Sequence, residues 1–163
     1  MDPDIYRHKY GRSPLIFAGN FENILTIGLG TGESASLTHE IQGMKTSKVI
    51  ELSPSMIEFS RKHFPENSFH VWSDPRIKVV NRDGREYLLH TKEKFDLIMS
   101  EPSNPWVNGV ASLFTLEFFR SIASHLKPGG IASVWFHSYG LSCDAFESVM
   151  LAAYHAFPNL IVF

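Results

Sequence analysis

Three glycines at alternate positions, Gly28, Gly30 and Gly32, follow an apolar run in Thr26-Ile27-Gly28-Leu29-Gly30-Thr31-Gly32-Glu33. Glycine lets a backbone turn tightly and come close to a ligand beside a helix N-terminus. Roughly 20 residues further on, Glu51 closes a second apolar run, where a carboxylate can hold the two hydroxyls of a ribose. Asp83 stands just before Gly84 at the end of a third run, where a carboxylate can accept from an adenine amino group. Glu101 opens the loop Glu101-Pro102-Ser103-Asn104-Pro105-Trp106 after a fourth run that closes on Ser100. Taken singly, each has a plainer reading: a tight turn, a helix N-cap or a solvated acid. Such features on successive strand ends together point to a nucleoside site.

The spacing narrows the nucleoside. A dinucleotide fingerprint of the form GxGxxG needs glycine where Glu33 stands, and Glu33 would repel a pyrophosphate at the helix N-terminus. A nucleoside without phosphates suits the loop, and S-adenosylmethionine or decarboxylated S-adenosylmethionine meets that requirement. The glycine loop, Glu51 and Asp83 are the candidate contacts to that nucleoside. Glu101 is the candidate general base, with a structural acid bonding loop amides as the alternative.

These residues need a scaffold that brings several strand ends together. Asn23 to Leu29 reads as a buried strand, followed by a helix from about Glu33 to Ile41. Lys48 to Leu52 is a second strand; Ser53 is the N-cap, with Pro54 at the first helical position, of a helix running to about His63. Arg76 to Val80, Phe95 to Ser100, Ile131 to His137 and the start at Leu160 to Phe163 are further strands. Helices fall at about Gly84 to His90, Thr115 to Leu126 and Cys143 to Ala156, with Lys127-Pro128-Gly129-Gly130 as a stop signal. Strand–helix alternation with short connections predicts an α/β fold, a three-layer αβα sandwich around a mainly parallel sheet of six to seven strands. Ligands in such sheets bind at the C-terminal strand ends, near the switch in strand order.

Composition bounds the function classes. The chain has 163 residues, 44% of them hydrophobic and 20% charged, which suits one folded domain. With 15 basic and 17 acidic residues the net charge is −2, which argues against nucleic-acid or membrane binding driven by bulk charge. A lone cysteine, Cys143, leaves no internal disulfide and fits a cytoplasmic protein; it has no activating partner in sequence. The eight histidines show no metal-ligand spacing, so no metal is expected. No apolar stretch is long enough to span a membrane, and Met1 to Tyr10 has no signal-peptide core. His137, Tyr139 and Trp106 could line a pocket, though packing roles explain them as well.

The order of these motifs resembles the spermidine synthase family across about residues 20–137. The resemblance is carried by the glycine loop, Ile50-Glu51, Asp74-Pro75-Arg76-Ile77, Asp83-Gly84-Arg85 and Leu113-Phe114-Thr115 to Phe118-Phe119. Ser100-Glu101-Pro102-Ser103-Asn104-Pro105-Trp106 is similar to bacterial spermidine-synthase-like proteins. The resemblance implies a Rossmann-like core of the class I methyltransferase type and transfer of an alkyl group, aminopropyl or methyl, to a small-molecule nucleophile. It implies a nucleoside site at Gly28, Gly30, Thr31, Gly32, Glu51, Leu52, Asp83, Gly84 and Ser100, and catalytic roles for Glu101 and Asn104, which stand where the family has a DSSDP-like sequence. There the first aspartate helps deprotonate the attacking amine and the second helps bind the polyamine.

Three departures from the family pattern argue against ordinary spermidine synthesis. Glutamate replaces the first aspartate, and Asn104 brings no charge to a polyammonium substrate. Thr31 stands where the family places an aspartate that pairs with the ammonium of decarboxylated S-adenosylmethionine; intact S-adenosylmethionine carries its own carboxylate and needs no such acid. No counterpart of the family's N-terminal β-hairpin is found. Alternatives to family-type transfer are a small-molecule methyltransferase or a catalytically silent nucleoside-binding domain. Residues 1–163 are expected to form a single nucleoside-binding catalytic core without that hairpin or the last strand, as a homodimer or a piece of a longer chain.

Overall fold

The computed structural model describes residues 20–102, 109–137 and 139–162. Five parallel strands form one sheet in the order β3-β2-β1-β4-β5. They are β1 (Asn23–Ile27), β2 (Thr46–Glu51), β3 (Ile77–Asn81), β4 (Phe95–Ser100) and β5 (Leu126–Val134). The helices are α1 (Glu33–Leu37), α2 (Pro54–His63), α3 (Phe69–Ser73), α4 (Gly84–His90), α5 (Leu116–His125) and α6 (Cys143–Ala156). Strand order reverses between β1 and β4, so their C-terminal ends flank the crevice where such sheets take ligands.

The central strands are buried on both faces, which explains their continuous apolar runs. Leu25 and Ile27 point to one face, into a core with Ile50, Leu88, Ile98, Phe118 and Ile122. Ile24 points to the other face, with Val49, Leu97, Met99, Val71 and Ala35. Side chains of a strand alternate between faces, so one five-residue strand serves both cores. Among the described residues, no helix is long and apolar enough to cross a membrane.

Helix starts follow the sequence closely. Ser53 Oγ accepts from Met56 N (3.2 Å) with Pro54 as the first helical residue, and Ser142 Oγ accepts from Ala145 N (3.2 Å). Thr115 Oγ1 accepts from Phe118 N at 3.3 Å. Each such cap contributes about 1 kcal/mol.

Other boundaries shift for physical reasons. α1 stops at Leu37 and continues as a 3-10 turn, Thr38–Glu40, because the Thr38 hydroxyl donates to Ala35 O at 2.6 Å and contacts Ser47 Oγ at 3.1 Å. The short α3 was not foreseen. Its five residues, Phe-His-Val-Trp-Ser, have no helical period, and Trp72 Nε1 donating to Ser68 Oγ at 2.8 Å helps hold the turn.

β5 begins at Leu126, ahead of the expected stop signal. Phe95 pairs with Leu126 and Leu97 with Ile131, so residues 127–130 are looped out as an irregularity within the strand. The sheet has five strands among the described residues, against the expected six to seven. Residues 160–162 join no ladder: Leu160, Ile161 and Val162 are exposed, and an apolar run without a paired neighbour does not become a strand.

Candidate active site

The glycine loop lies where β1 passes β4. Gly28 has φ of 95° and donates to Ile50 O at 2.9 Å, while Glu101 N donates to Ile27 O at 2.8 Å. A Cβ on Gly28 would stand 2.6 Å from the Glu101 carbonyl oxygen, so only glycine lets the two segments approach. Gly30 faces open space, with nothing within 4 Å of where its Cβ would be. Gly32 caps α1, and its N–H donates to Leu29 O at 2.8 Å. Thr31 is exposed on the rim, and its carbonyl accepts from Ser60 Oγ at 3.1 Å.

Glu51 is engaged by backbone on both oxygens. Oε2 accepts from Leu29 N at 2.9 Å and Oε1 from Ser53 N at 2.8 Å. The carboxylate therefore clamps the glycine loop to the start of α2, and each oxygen keeps a lone pair for a further donor. Leu52 beside it is 66% exposed, an apolar surface on the same edge. Asn81 Nδ2 donates to the carbonyls of Glu51 (2.8 Å) and Leu52 (2.9 Å), tying the ends of β3 and β2 together.

Asp83 caps α4: Oδ1 accepts from Arg85 N at 2.8 Å and Glu86 N at 3.0 Å. Oδ2 has no hydrogen-bond partner among the described residues. Gly84 packs so closely that a Cβ would meet Ile27 Cγ2 at 2.5 Å. The plain capping role and a site role thus coexist at Asp83.

Ser100 is fully buried at the end of β4, and its hydroxyl has no hydrogen-bond partner among the described residues. Glu101 follows it into the crevice. Burial pushes the Glu101 carboxyl above the usual carboxylate range; the nearby Ser34 hydroxyl pulls the other way, and the negative charge of Glu33 adds to the rise. Asn104, Ser103 and Trp106 lie outside the described residues.

The structure brings Gly28, Gly30, Thr31, Gly32, Glu51, Leu52, Asp83, Gly84, Ser100 and Glu101 to one edge of the sheet. Glu33 and Ser34 were not foreseen as neighbours of Glu101. Adjacency of β1 and β4 places them there, and no pattern within the loop announces that adjacency. The arrangement offers open backbone at the glycine loop, acids at or just past neighbouring strand ends, and a carboxyl withdrawn from water beside Glu33 and Ser34.

A parallel Rossmann-like sheet whose first strand ends in a glycine loop, with acids closing the next two strands, is a fold of the class I methyltransferase type. The spermine/spermidine synthase domain model matches residues 4–161, and the chain belongs to that family. It is 34% identical over 130 residues to a polyamine aminopropyltransferase from Serratia proteamaculans (strain 568), covering 80% of this chain and 45% of the relative. The polyamine aminopropyltransferase from Pectobacterium atrosepticum is 33% identical over the same length, with the same coverage. The chain thus spans just under half the length of these relatives.

Solved structures agree. A spermidine synthase in complex with the transition-state analogue AdoDATO superposes with a TM-score of 0.85 at 25% identity, over 97% of this chain and 54% of that one. The spermidine synthase from Thermotoga maritima gives a TM-score of 0.81 at 25% identity, over 97% of this chain and 53% of that one.

Proposed function

We propose that this chain is the nucleoside-binding core of an alkyl transferase that moves an aminopropyl group from decarboxylated S-adenosylmethionine to a small-molecule amine, with Glu101 as the base. The observation that carries this reading is the place of Glu101 at the end of β4 against the glycine loop, with its N–H donating to Ile27 O at 2.8 Å and its carbonyl oxygen 2.6 Å from where a Cβ on Gly28 would stand. The names of the relatives, polyamine aminopropyltransferase and spermidine synthase, support aminopropyl rather than another group.

The residues present fit such a donor. Gly30 leaves room for it, Leu52 offers an apolar surface to the base, and Glu51 and Asp83 Oδ2 keep acceptor capacity for ribose and adenine donors. A sulfonium carries its own leaving group, so placement and alignment supply much of the rate. Glu33 and Glu101, close enough to influence each other, restore beside the loop the negative charge that Thr31 lacks.

The chemical step balances without a further reactant. The amine lone pair forms the new C–N bond as the C–S bond breaks with its electrons kept by sulfur, which becomes a neutral thioether. An aliphatic amine arrives as an ammonium, so Glu101 first accepts one of its protons and frees that lone pair; the product nitrogen keeps its remaining protons and the positive charge that sulfur gives up. Glu101→Gln tests the assignment: turnover should fall about 100-fold or more while nucleoside affinity stays nearly unchanged. Unchanged turnover removes Glu101 from the mechanism.

Thr31 favours a second reading. A threonine in place of the family's acid suits intact S-adenosylmethionine and hence methyl transfer, and mass spectrometry of the product distinguishes the two added groups. Asn104 belongs to the proposal as a neutral acceptor-side residue. Pairing of two copies along the outer edge of β5 also belongs to it, with a monomer in light scattering as the contrary result.

A further inference from the structure

Ser60 is the buried residue of α2, and it is a serine where packing alone would take an apolar side chain. Its hydroxyl donates to Thr31 O at 3.1 Å, inside the glycine loop. Ser68, also fully buried, stands just before α3; its hydroxyl donates to Phe64 O at 2.8 Å and lies 3.4 Å from Ser60 O. Gly32 is seated against both serines, since a Cβ there would stand 2.6 Å from Ser68 Cβ and 3.0 Å from Ser60 Oγ.

A buried hydroxyl is costly unless it is bonded, so the partners of these two are informative. Ser60 is satisfied by the loop itself. Ser68 is satisfied from α3, because its oxygen accepts from Trp72 Nε1 at 2.8 Å while its proton goes to Phe64 O. The Arg61 guanidinium lies 4.4 Å over the Trp72 ring, which ties α3 to α2 a second time. His70 N donates to Ser36 Oγ at 3.1 Å, so α3 also holds α1 just beyond the loop. With five residues α3 is too short to stand alone, and these bonds fix its place.

Together with the bond from Leu29 N to Glu51, the serine contacts hold residues 29, 31 and 32. Gly30, between them, faces open space. The open part of the loop is therefore carried by supports on either side of it in the chain. A reacting group placed by such supports loses affinity or rate when they shift, even though they touch no ligand.

We infer that Ser60 and Ser68 are positioning residues for the nucleoside donor, holding Thr31 and Gly32 in the place where the loop meets it, with Trp72 bonded to that support. The inference rests on the transfer reading above, and neither serine takes part in the chemical step.

The test follows the Trp72 indole N–H by proton–nitrogen NMR as 5′-methylthioadenosine is titrated into the full chain, the resonance being identified by its loss in Trp72→Phe. The indole signal should shift along the same saturation curve that calorimetry gives for the nucleoside. Ser60→Ala and Ser68→Ala should each weaken nucleoside binding about tenfold, the worth of one hydrogen bond, and Ser68→Ala should also remove most of the indole response. Ser73→Ala, which removes an exposed hydroxyl of the same short helix, should leave affinity unchanged. Without nucleoside, the Gly32 amide should exchange with solvent about tenfold faster in Ser60→Ala than in the parent chain. An indole signal indifferent to bound nucleoside overturns the inference, and that observation needs no serine variant to fold. Unchanged affinity in both Ser60→Ala and Ser68→Ala overturns it as well. Failure of 5′-methylthioadenosine to bind the unaltered chain counts against the transfer reading instead; the Gly32 exchange rate then decides the positioning role, and an unchanged rate overturns it.

Discussion

The Glu51 carboxylate accepts from Leu29 N at 2.9 Å with one oxygen and from Ser53 N at 2.8 Å with the other. The residue that reads in sequence as a ribose ligand is thus also the clamp between the glycine loop and α2. In Glu51→Gln one of these N–H groups would face an amide NH2 instead of an oxygen. Denaturant unfolding without nucleoside should show a loss of about 1–3 kcal/mol, the cost of a part-buried donor left unmet. A variant as stable as the parent chain would reduce Glu51 to a ligand-binding residue.

Gly28 and Gly30 should respond differently to the same substitution. Gly28→Ala places a Cβ 2.6 Å from the Glu101 carbonyl oxygen at a φ of 95°, so stability and Glu101 placement should both suffer. Gly30→Ala meets nothing within 4 Å, and only its φ of 52° opposes it. About 1 kcal/mol of stability is expected to be lost there, while nucleoside affinity falls by more than that figure implies. Thermal unfolding and calorimetry on both variants separate the two effects; equal profiles contradict them.

Glu101 should link stability and activity in opposite senses. Its carboxyl is raised by burial first, then by Glu33, with Ser34 opposing. A group raised in the folded state favours the protonated form, so its stabilising contribution is present below the unfolded value and is lost as pH rises through the folded one. Glu101→Gln should therefore unfold at higher denaturant than the parent chain near neutral pH while turning over far more slowly. For the base role, kcat/KM should rise with pH through this raised value. Glu33→Gln should move that limb to lower pH and Ser34→Ala to higher pH; a profile indifferent to both variants contradicts the contact.

Asp74 anchors the entry to β3. Its buried carboxylate accepts from Arg76 Nη2 at 2.6 Å and Arg76 N at 2.9 Å, and His39 Nδ1 lies 2.6 Å away. The Arg76 guanidinium above all, with His39, holds the carboxyl well below the usual carboxylate range despite its burial. A depressed carboxyl contributes stability above its unfolded value and loses it as pH falls through the folded one. Asp74→Asn should cost about 1–3 kcal/mol at neutral pH and flatten acid unfolding on the low side of the unfolded value. An unchanged acid limb would show that another carboxylate governs it.

Sequence and structure agree most where a local rule decides. Ser53, Pro54, Asp83 and Thr115 announce helix starts, and α4 and α6 keep their expected bounds. The glycine loop and acidic strand ends were legible because backbone approach and carboxylate chemistry demand those residue types. Contacts between distant segments were not. The pairing of Phe95 with Leu126, which draws Lys127 to Gly130 inside β5, depends on the neighbouring strand, as does the meeting of Glu101 with Ser34.

The most direct test of the transfer reading is calorimetric titration of the chain with decarboxylated S-adenosylmethionine, S-adenosylmethionine and 5′-methylthioadenosine. The acids Glu33 and Glu101 beside the loop lead to tightest binding of the decarboxylated donor, well below about 1 mM, with the intact donor weakened by its carboxylate. Failure of all three to bind below about 1 mM would contradict a nucleoside site at Gly28 to Gly32 and Glu51.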